Sequence, residues 1–133
     1  MPRNKQRRKI EEPPRFSGYA PYGVKHTHRP PVELYFEEYE AIKLTDYNGM
    51  THQEACRYMG ISRATFARIY EHARRKIAHA LVEAREIKTV MGNAILDEEW
   101  YLCTECYARF RVRDIERQEN CPTCRSGDFR PIA

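Results

Sequence analysis

Two pairs of cysteines constrain this chain more than any other feature: Cys103-Thr-Glu-Cys106 and Cys121-Pro-Thr-Cys124, separated by the fourteen residues Tyr107 to Asn120. A two-residue gap lets both thiolates of one turn point at a single ion, and the intervening length suits a hairpin that sets the second turn opposite the first. The spacing predicts Cys103, Cys106, Cys121 and Cys124 as ligands of one structural zinc ion, with iron, which also accepts four thiolates, as the lesser alternative. Four ligands close the coordination shell, and no motif supplies the open position and general base of a hydrolytic site, so no enzyme is expected. A module with so few large apolar residues should take most of its folding free energy from the metal. The fifth cysteine, Cys56, reads as a small core residue.

The remainder of the 133 residues has room for one small helical domain. No apolar run approaches the roughly 18 residues of a membrane span, and the N-terminus lacks the apolar segment of a secretory signal; the expectation is a cytoplasmic protein with no membrane contact. Charge is unevenly placed. Residues 1–30 carry eight Lys/Arg against Glu11 and Glu12, residues 31–91 balance at nine and nine, and residues 92–133 carry six against eight. The excess therefore sits at the front, where Arg3, Lys5, Arg7, Arg8 and Lys9 could neutralise phosphates and release counterions. Five prolines and two glycines between positions 10 and 32 predict an extended connector, with Phe16, Tyr19 and Tyr22 available to tack it down.

From Leu34 the spacing turns helical, with Leu34, Tyr35, Tyr39, Ile42 and Leu44 set among charged residues and Asn48-Gly49 as a stop. Thr51-His-Gln-Glu54 has the form of a capping box opening a short helix that ends at Gly60. Ser62 caps a long helix from Arg63 to about Arg85, with Phe66, Ile69, Ala73, Ile77, Ala80 and Leu81 as its apolar stripe. Ala64, Arg68, Glu71 and Arg75 fall on the opposite side. Ala55 is small where the two helices should cross, and Gly60 permits a turn at positive φ. Beyond Glu86, Lys88 to Met91, Ile95 to Leu102 and Tyr107 to Arg113 have strand character. The fold expected is a mainly α helix-turn-helix domain plus a small β zinc ribbon at the C-terminus. Its segments are 1–32 (basic arm and connector), 33–91 (helix-turn-helix) and 92–133 (ribbon).

Several stretches together resemble one family: Met1-Pro-Arg3 with Arg7-Arg8, Tyr19-Ala-Pro-Tyr-Gly23, Glu37-Glu-Tyr-Glu-Ala41 through Asp46, Gln53-Glu-Ala55, Met59-Gly-Ile-Ser-Arg63 through Ile69, and Ala73 through Leu81. Over about the first 90 residues the chain is similar to the DUF134 (UPF0251) family. That resemblance implies a helix-turn-helix like region 4 of sigma-70 factors, and DNA binding as the activity expected of the family. The four-cysteine module stands outside it.

These readings converge on a sequence-specific binder of double-stranded DNA, a transcriptional regulator. Arg63, Thr65 and Arg68 would face bases, Arg being suited to guanine and Thr to a thymine methyl or a phosphate. Thr51, Gln53, Ser62 and Arg75 would lie against the duplex, and Arg3, Lys5, Arg7 and Arg8 would track phosphates. A possible homodimer would match paired half-sites. The alternative is a metal- or redox-responsive interaction module without DNA affinity of its own, whose ribbon contacts RNA polymerase or another protein. His52, His72 and His79 read as surface residues.

Overall fold

The computed structural model describes residues 7–24, 28–96, 99–111 and 120–132. Among these residues, three α-helices are accompanied by short strands in three small sheets. β1 (Arg8–Ile10) and β2 (Gly18–Tyr19) are followed by β3 (Val32–Tyr35) and α1 (Phe36–Ile42), which widens into a π-helical turn over Lys43–Tyr47. α2 (His52–Met59) and α3 (Arg63–Val82) come next, then β4 (Ile87–Val90), β5 (Ala94–Leu96), β6 (Trp100–Cys103), β7 (Arg109–Arg111) and β8 (Phe129–Pro131).

The caps form where local side-chain chemistry places them. Thr51 accepts the Glu54 amide at 3.2 Å and Ser62 accepts the Thr65 amide at 3.1 Å, each meeting one of the donors a helix start leaves over. The box at α2 departs from expectation in one respect: the Glu54 carboxylate takes the Thr51 hydroxyl at 3.0 Å. Gly60 closes α2 at φ 65°, a conformation that disfavours any residue with a Cβ.

Four sequence expectations need correction here. Leu34 and Tyr35 belong to β3, whose parallel pairing with β4 aligns Val32 with Ile87 and Tyr35 with Val90. The helix therefore starts at Phe36, and the three helices form the long crossover that parallel strands require. Tyr22 is fully exposed and does not tack the connector down; of the three aromatics, Phe16 and Tyr19 lie 4.6 Å apart, and Phe16 sits 5.9 Å from Tyr39. Leu81 is 75% exposed although it continues the α3 stripe. α3 ends at Val82 rather than near Arg85, with Ala84 at φ 51° turning the chain toward β4.

Phe66 is the centre of the main core, enclosed by Ala41, Leu44, Ala55, Cys56 and Met59. Burying one such ring contributes about 1.5–3 kcal/mol. A second cluster joins Ile10, Phe36 and Ala94, with β1 and β5 paired in parallel beside it, so the basic N-terminal segment and the segment after β4 share one small sheet. The third cluster is Cys103, Phe110 and Cys121, flanked by Tyr101 and Phe129, under the antiparallel sheet β7-β6-β8.

Candidate nucleic-acid interface and candidate metal centre

Arg63 and Arg68 are exposed in the first two turns of α3, and Thr65 between them is half-buried. Their backbone is fixed from the other side, because Phe66 and Ala73 are wholly buried. A short chain of hydroxyls orders the polar face: Ser62 Oγ donates to Thr65 Oγ1 at 2.9 Å, and Arg68 Nη2 approaches the same oxygen at 3.4 Å. Gln53 and Thr51 are exposed at the start of α2. Arg75 points outward and pairs with Glu71 at 2.9 Å. Arg3 and Lys5 lie outside the described residues.

Arg7 is exposed and Arg8 half-buried, the second held at the edge of a recess that opens beside α3. The recess has a volume of about 1140 Å³; Arg8, Thr65, Arg68, His72, Lys76 and Asn93 are among its lining residues. The Lys9 side chain runs past the α2–α3 turn, its Cδ 3.9 Å from where a Cβ on Gly60 would stand. Strand β1 thus brings basic side chains next to the start of α3. Hydrophobic patterning could not find this, because the pairing partner of β1 lies more than eighty residues away.

The acids of α1 are the residues that sequence reasoning missed. Glu37, Glu38 and Glu40 are each less than 5% exposed. Glu38 Oε1 receives Lys76 Nζ at 2.6 Å and the Tyr35 amide at 2.8 Å. Glu37 Oε2 accepts the Asn93 amide at 2.7 Å, and the Asn93 carbonyl in turn accepts the Arg8 amide at 2.7 Å. Glu40 pairs with Lys43 at 3.1 Å. Burial pushes the Glu40 carboxyl above its ordinary pKa. Burial alone would pull Lys43 down, but Glu40 and Glu11 outweigh it and raise the ammonium instead. His52, expected at the surface, is half-buried, 5.2 Å from Phe66 and 5.1 Å from Tyr70.

The four cysteine sulfurs of the C-terminal module lie within 4.8 Å of one another. Cys103 Sγ is 3.5 Å from Cys124 Sγ, and Cys106 Sγ is 3.7 Å from Cys121 Sγ. Sulfurs at the ~2.3 Å typical of a zinc–thiolate bond would form a tetrahedron with edges of about 3.8 Å, so the donor set fits a single ion. Each turn aims an amide at its sulfur, Cys106 to Cys103 at 3.5 Å and Thr123 to Cys121 at 3.4 Å. Tyr107 (φ 63°) and Arg125 (φ 65°), the residues following each pair, adopt the left-handed conformation that glycine commonly supplies.

The thiols perturb one another strongly. The Cys106 amide helps draw the Cys103 thiol down to about 7. Cys106 is helped by the Ala108 amide, yet desolvation and hydrogen bonding with the other three sulfurs push it up to about 12. Cys124 rises too, although the Ser126 amide donates to it. Four thiolates this close repel one another, and a divalent ion removes that repulsion.

The features together define a three-helix protein with small β-sheets and a four-cysteine cluster compatible with a structural metal. Among the described residues no helix is long and apolar enough to cross a membrane. The chain belongs to the family described as "Protein of unknown function DUF134", which matches residues 1–97. It is 39% identical over 126 residues to a UPF0251 protein of Chloroherpeton thalassium, covering 95% of this chain and 83% of that protein. A UPF0251 protein of Pelotomaculum thermopropionicum is 38% identical over 132 residues, 99% of both chains. One from Methanothermobacter thermautotrophicus is 35% identical over all of this chain and 69% of its own length. The similarity to these relatives thus runs on past residue 97 into the cysteine module. No solved structure matches the chain.

Proposed function

We propose that this protein binds double-stranded DNA sequence-specifically as a transcriptional regulator, with α2 and α3 acting as a helix-turn-helix and the cysteine module as a zinc ribbon. The observation that carries the reading is the two-sidedness of α3. Phe66 and Ala73 anchor it from within, while Arg63 and Arg68 stay exposed at the end of the helix that a helix-turn-helix presents to the major groove. Arginine is the side chain best matched to the two acceptors of guanine, and each such bidentate contact is worth about 1–3 kcal/mol of discrimination. The arm residues Arg7, Arg8 and Lys9 would add the sequence-independent, salt-sensitive part of the affinity.

Fragments selected from a genome by the purified protein supply a probe for fluorescence anisotropy, with metal content measured on the same preparation. The wild type should bind with a steep negative dependence on salt. Arg63→Ala with Arg68→Ala should cost roughly 10- to 100-fold at each affected base position and flatten discrimination between sites. Binding indifferent to that double change, or absent at low salt, removes the reading.

A further inference from the structure

The cysteine module grips the segment that leads out of the basic strand. Ala108 O accepts the Cys103 amide at 2.9 Å, so the entry to β7 is tied to the first cysteine turn. From β7, Arg109 Nη1 donates to the Pro14 carbonyl at 2.6 Å, and its guanidinium lies 5.6 Å over the Phe36 ring. Two residues on, Arg111 stands 3.6 Å from Glu12. Pro13 and Pro14 beneath are fully buried.

Arg109 is an uneconomical way to fill that space. It is half-buried, and its Nε is enclosed without a hydrogen-bond partner among the described residues. Burial also lowers its pKa. A cation withdrawn from water for one carbonyl and one ring adds little net stability, and an apolar side chain of similar volume would do better. What the guanidinium does supply is direction: it fixes Pro14 at a defined place. The gripped residues Glu12–Pro14 follow β1 after the single residue Glu11, and in β1 Ile10 packs with Phe36 and Ala94, Arg8 lines the recess shared with Thr65 and Arg68, and Lys9 passes Gly60.

We propose that Arg109 is a positioning residue that transmits the folded state of the cysteine module to β1, so that metal in the four-cysteine site holds Arg7, Arg8 and Lys9 beside α3. Its consequence for affinity rests on the DNA-binding reading; its structural consequence does not.

Amide hydrogen exchange on the full chain, zinc-loaded or stripped with a chelator, tests this in the wild type, Arg109→Ala and Arg109→Lys. Stripping the wild type should speed exchange of the Arg8–Glu12 amides roughly tenfold or more, as should Arg109→Ala with one ion per chain still bound; the α3 amides should keep their protection. Arg109→Lys, which retains a donor, should fall between the two. In anisotropy, both perturbations should lower the log–log salt slope by up to about 3, at about 0.9 per lost phosphate contact, while discrimination through Arg63 survives. Metal-loaded Arg109→Ala with wild-type exchange in β1 overturns the proposal, and so does a stripped chain whose β1 stays protected. If Arg109→Ala also loosens α3, Arg109→Lys decides: it must keep α3 and metal yet exchange β1 faster than wild type, or the proposal falls. If no form binds DNA, the DNA reading fails and the exchange data alone settle the grip.

Discussion

Gly92→Ala should be a damaging substitution for a reason that has nothing to do with glycine's backbone freedom. A Cβ at position 92 would overlap Glu37 Oε1 and stand 3.1 Å from the carboxylate carbon. Glu37 is 4% exposed and its Oε2 accepts the Asn93 amide at 2.7 Å, so the carboxylate cannot swing aside without losing that part-buried bond. A hydrogen bond to a charged group is worth about 1.5–3 kcal/mol, and some packing is lost with it; a cost of about 2–3 kcal/mol follows. At about 4 °C per kcal/mol for a chain of this size, Tm should fall by roughly 8–12 °C in a thermal melt followed by circular dichroism, and urea unfolding reads the free-energy loss. Two controls isolate the cause. Gly49→Ala meets open space but forces φ 73° on a residue with a Cβ, and should cost about 1–2 kcal/mol in any background. Gly92→Ala in a Glu37→Ala background should cost less than about 0.5 kcal/mol, because the obstacle is gone. A Gly92→Ala protein as stable as wild type, or one that loses as much without Glu37 as with it, refutes the reasoning.

Other consequences can be measured alongside. Phe66→Ala should cost about 3–5 kcal/mol whereas Leu81→Ala, on the same periodic stripe but exposed, should stay within about 0.5 kcal/mol; equal losses would mean that α3 packs over its whole length. Desolvation raises the Tyr39 phenol, desolvation and the hydrogen bond to Asp46 raise Tyr70, and Glu40 with Glu11 raises Lys43. Each holds its proton more tightly when folded, so its contribution is complete below the ordinary values of 10.0 for tyrosine and 10.5 for lysine and is lost as pH climbs through the raised ones. Unfolding free energy should therefore decline above about pH 10, and Tyr70→Phe should make that decline shallower; an unchanged slope speaks against the Tyr70 share. Cys121→Ser should drop metal content well below one ion per chain and abolish the β6–β8 signals while the helical dichroism persists, and retention of a full ion would count against the four-sulfur site.

What the sequence discloses and what it withholds divide along physical lines. Thr51, Gly60 and Ser62 were legible because a cap or a left-handed turn is decided within four residues by the side chain itself. The cysteine cluster was legible because ligand spacing encodes the geometry of one ion. Leu34 and Tyr35 read as helical because β3 exists through its pairing with β4, more than fifty residues later, and nothing local to position 34 announces that partner. Charge concealed Glu37, Glu38 and Glu40. An acid reads as surface unless its partners are known, and the partners here are Asn93, Lys76 and Lys43. Leu81 reads as core because spacing alone does not tell which of two adjacent stripe positions, Ala80 and Leu81, faces the neighbours. The last turn of α3 packs through Ala80, 3% exposed, while Leu81 beside it is 75% exposed and faces away.

Under the DNA-binding reading, the charges around the recess decide how the arm and α3 would share the work of binding. Lys76 is neutralised by Glu38, and Glu33 and Glu37 also line the recess, so its wall is not a uniformly positive channel. A polyanion would gain little from that surface as a whole. On that reading the attraction would come from the exposed cations Arg63 and Arg68 on the helix and Arg7 and Lys9 on the arm. An affinity built on few contacts depends steeply on holding each of them in place, since every cation left free forfeits its counterion release. Under the DNA-binding reading, that dependence is what makes the two ties on β1 matter, the Glu37–Asn93–Arg8 relay from α1 and the Arg109 grip from the cysteine module. Cutting either should weaken binding more than its own contact energy suggests, and cutting both should cost less than the sum, because each acts by fixing the same strand.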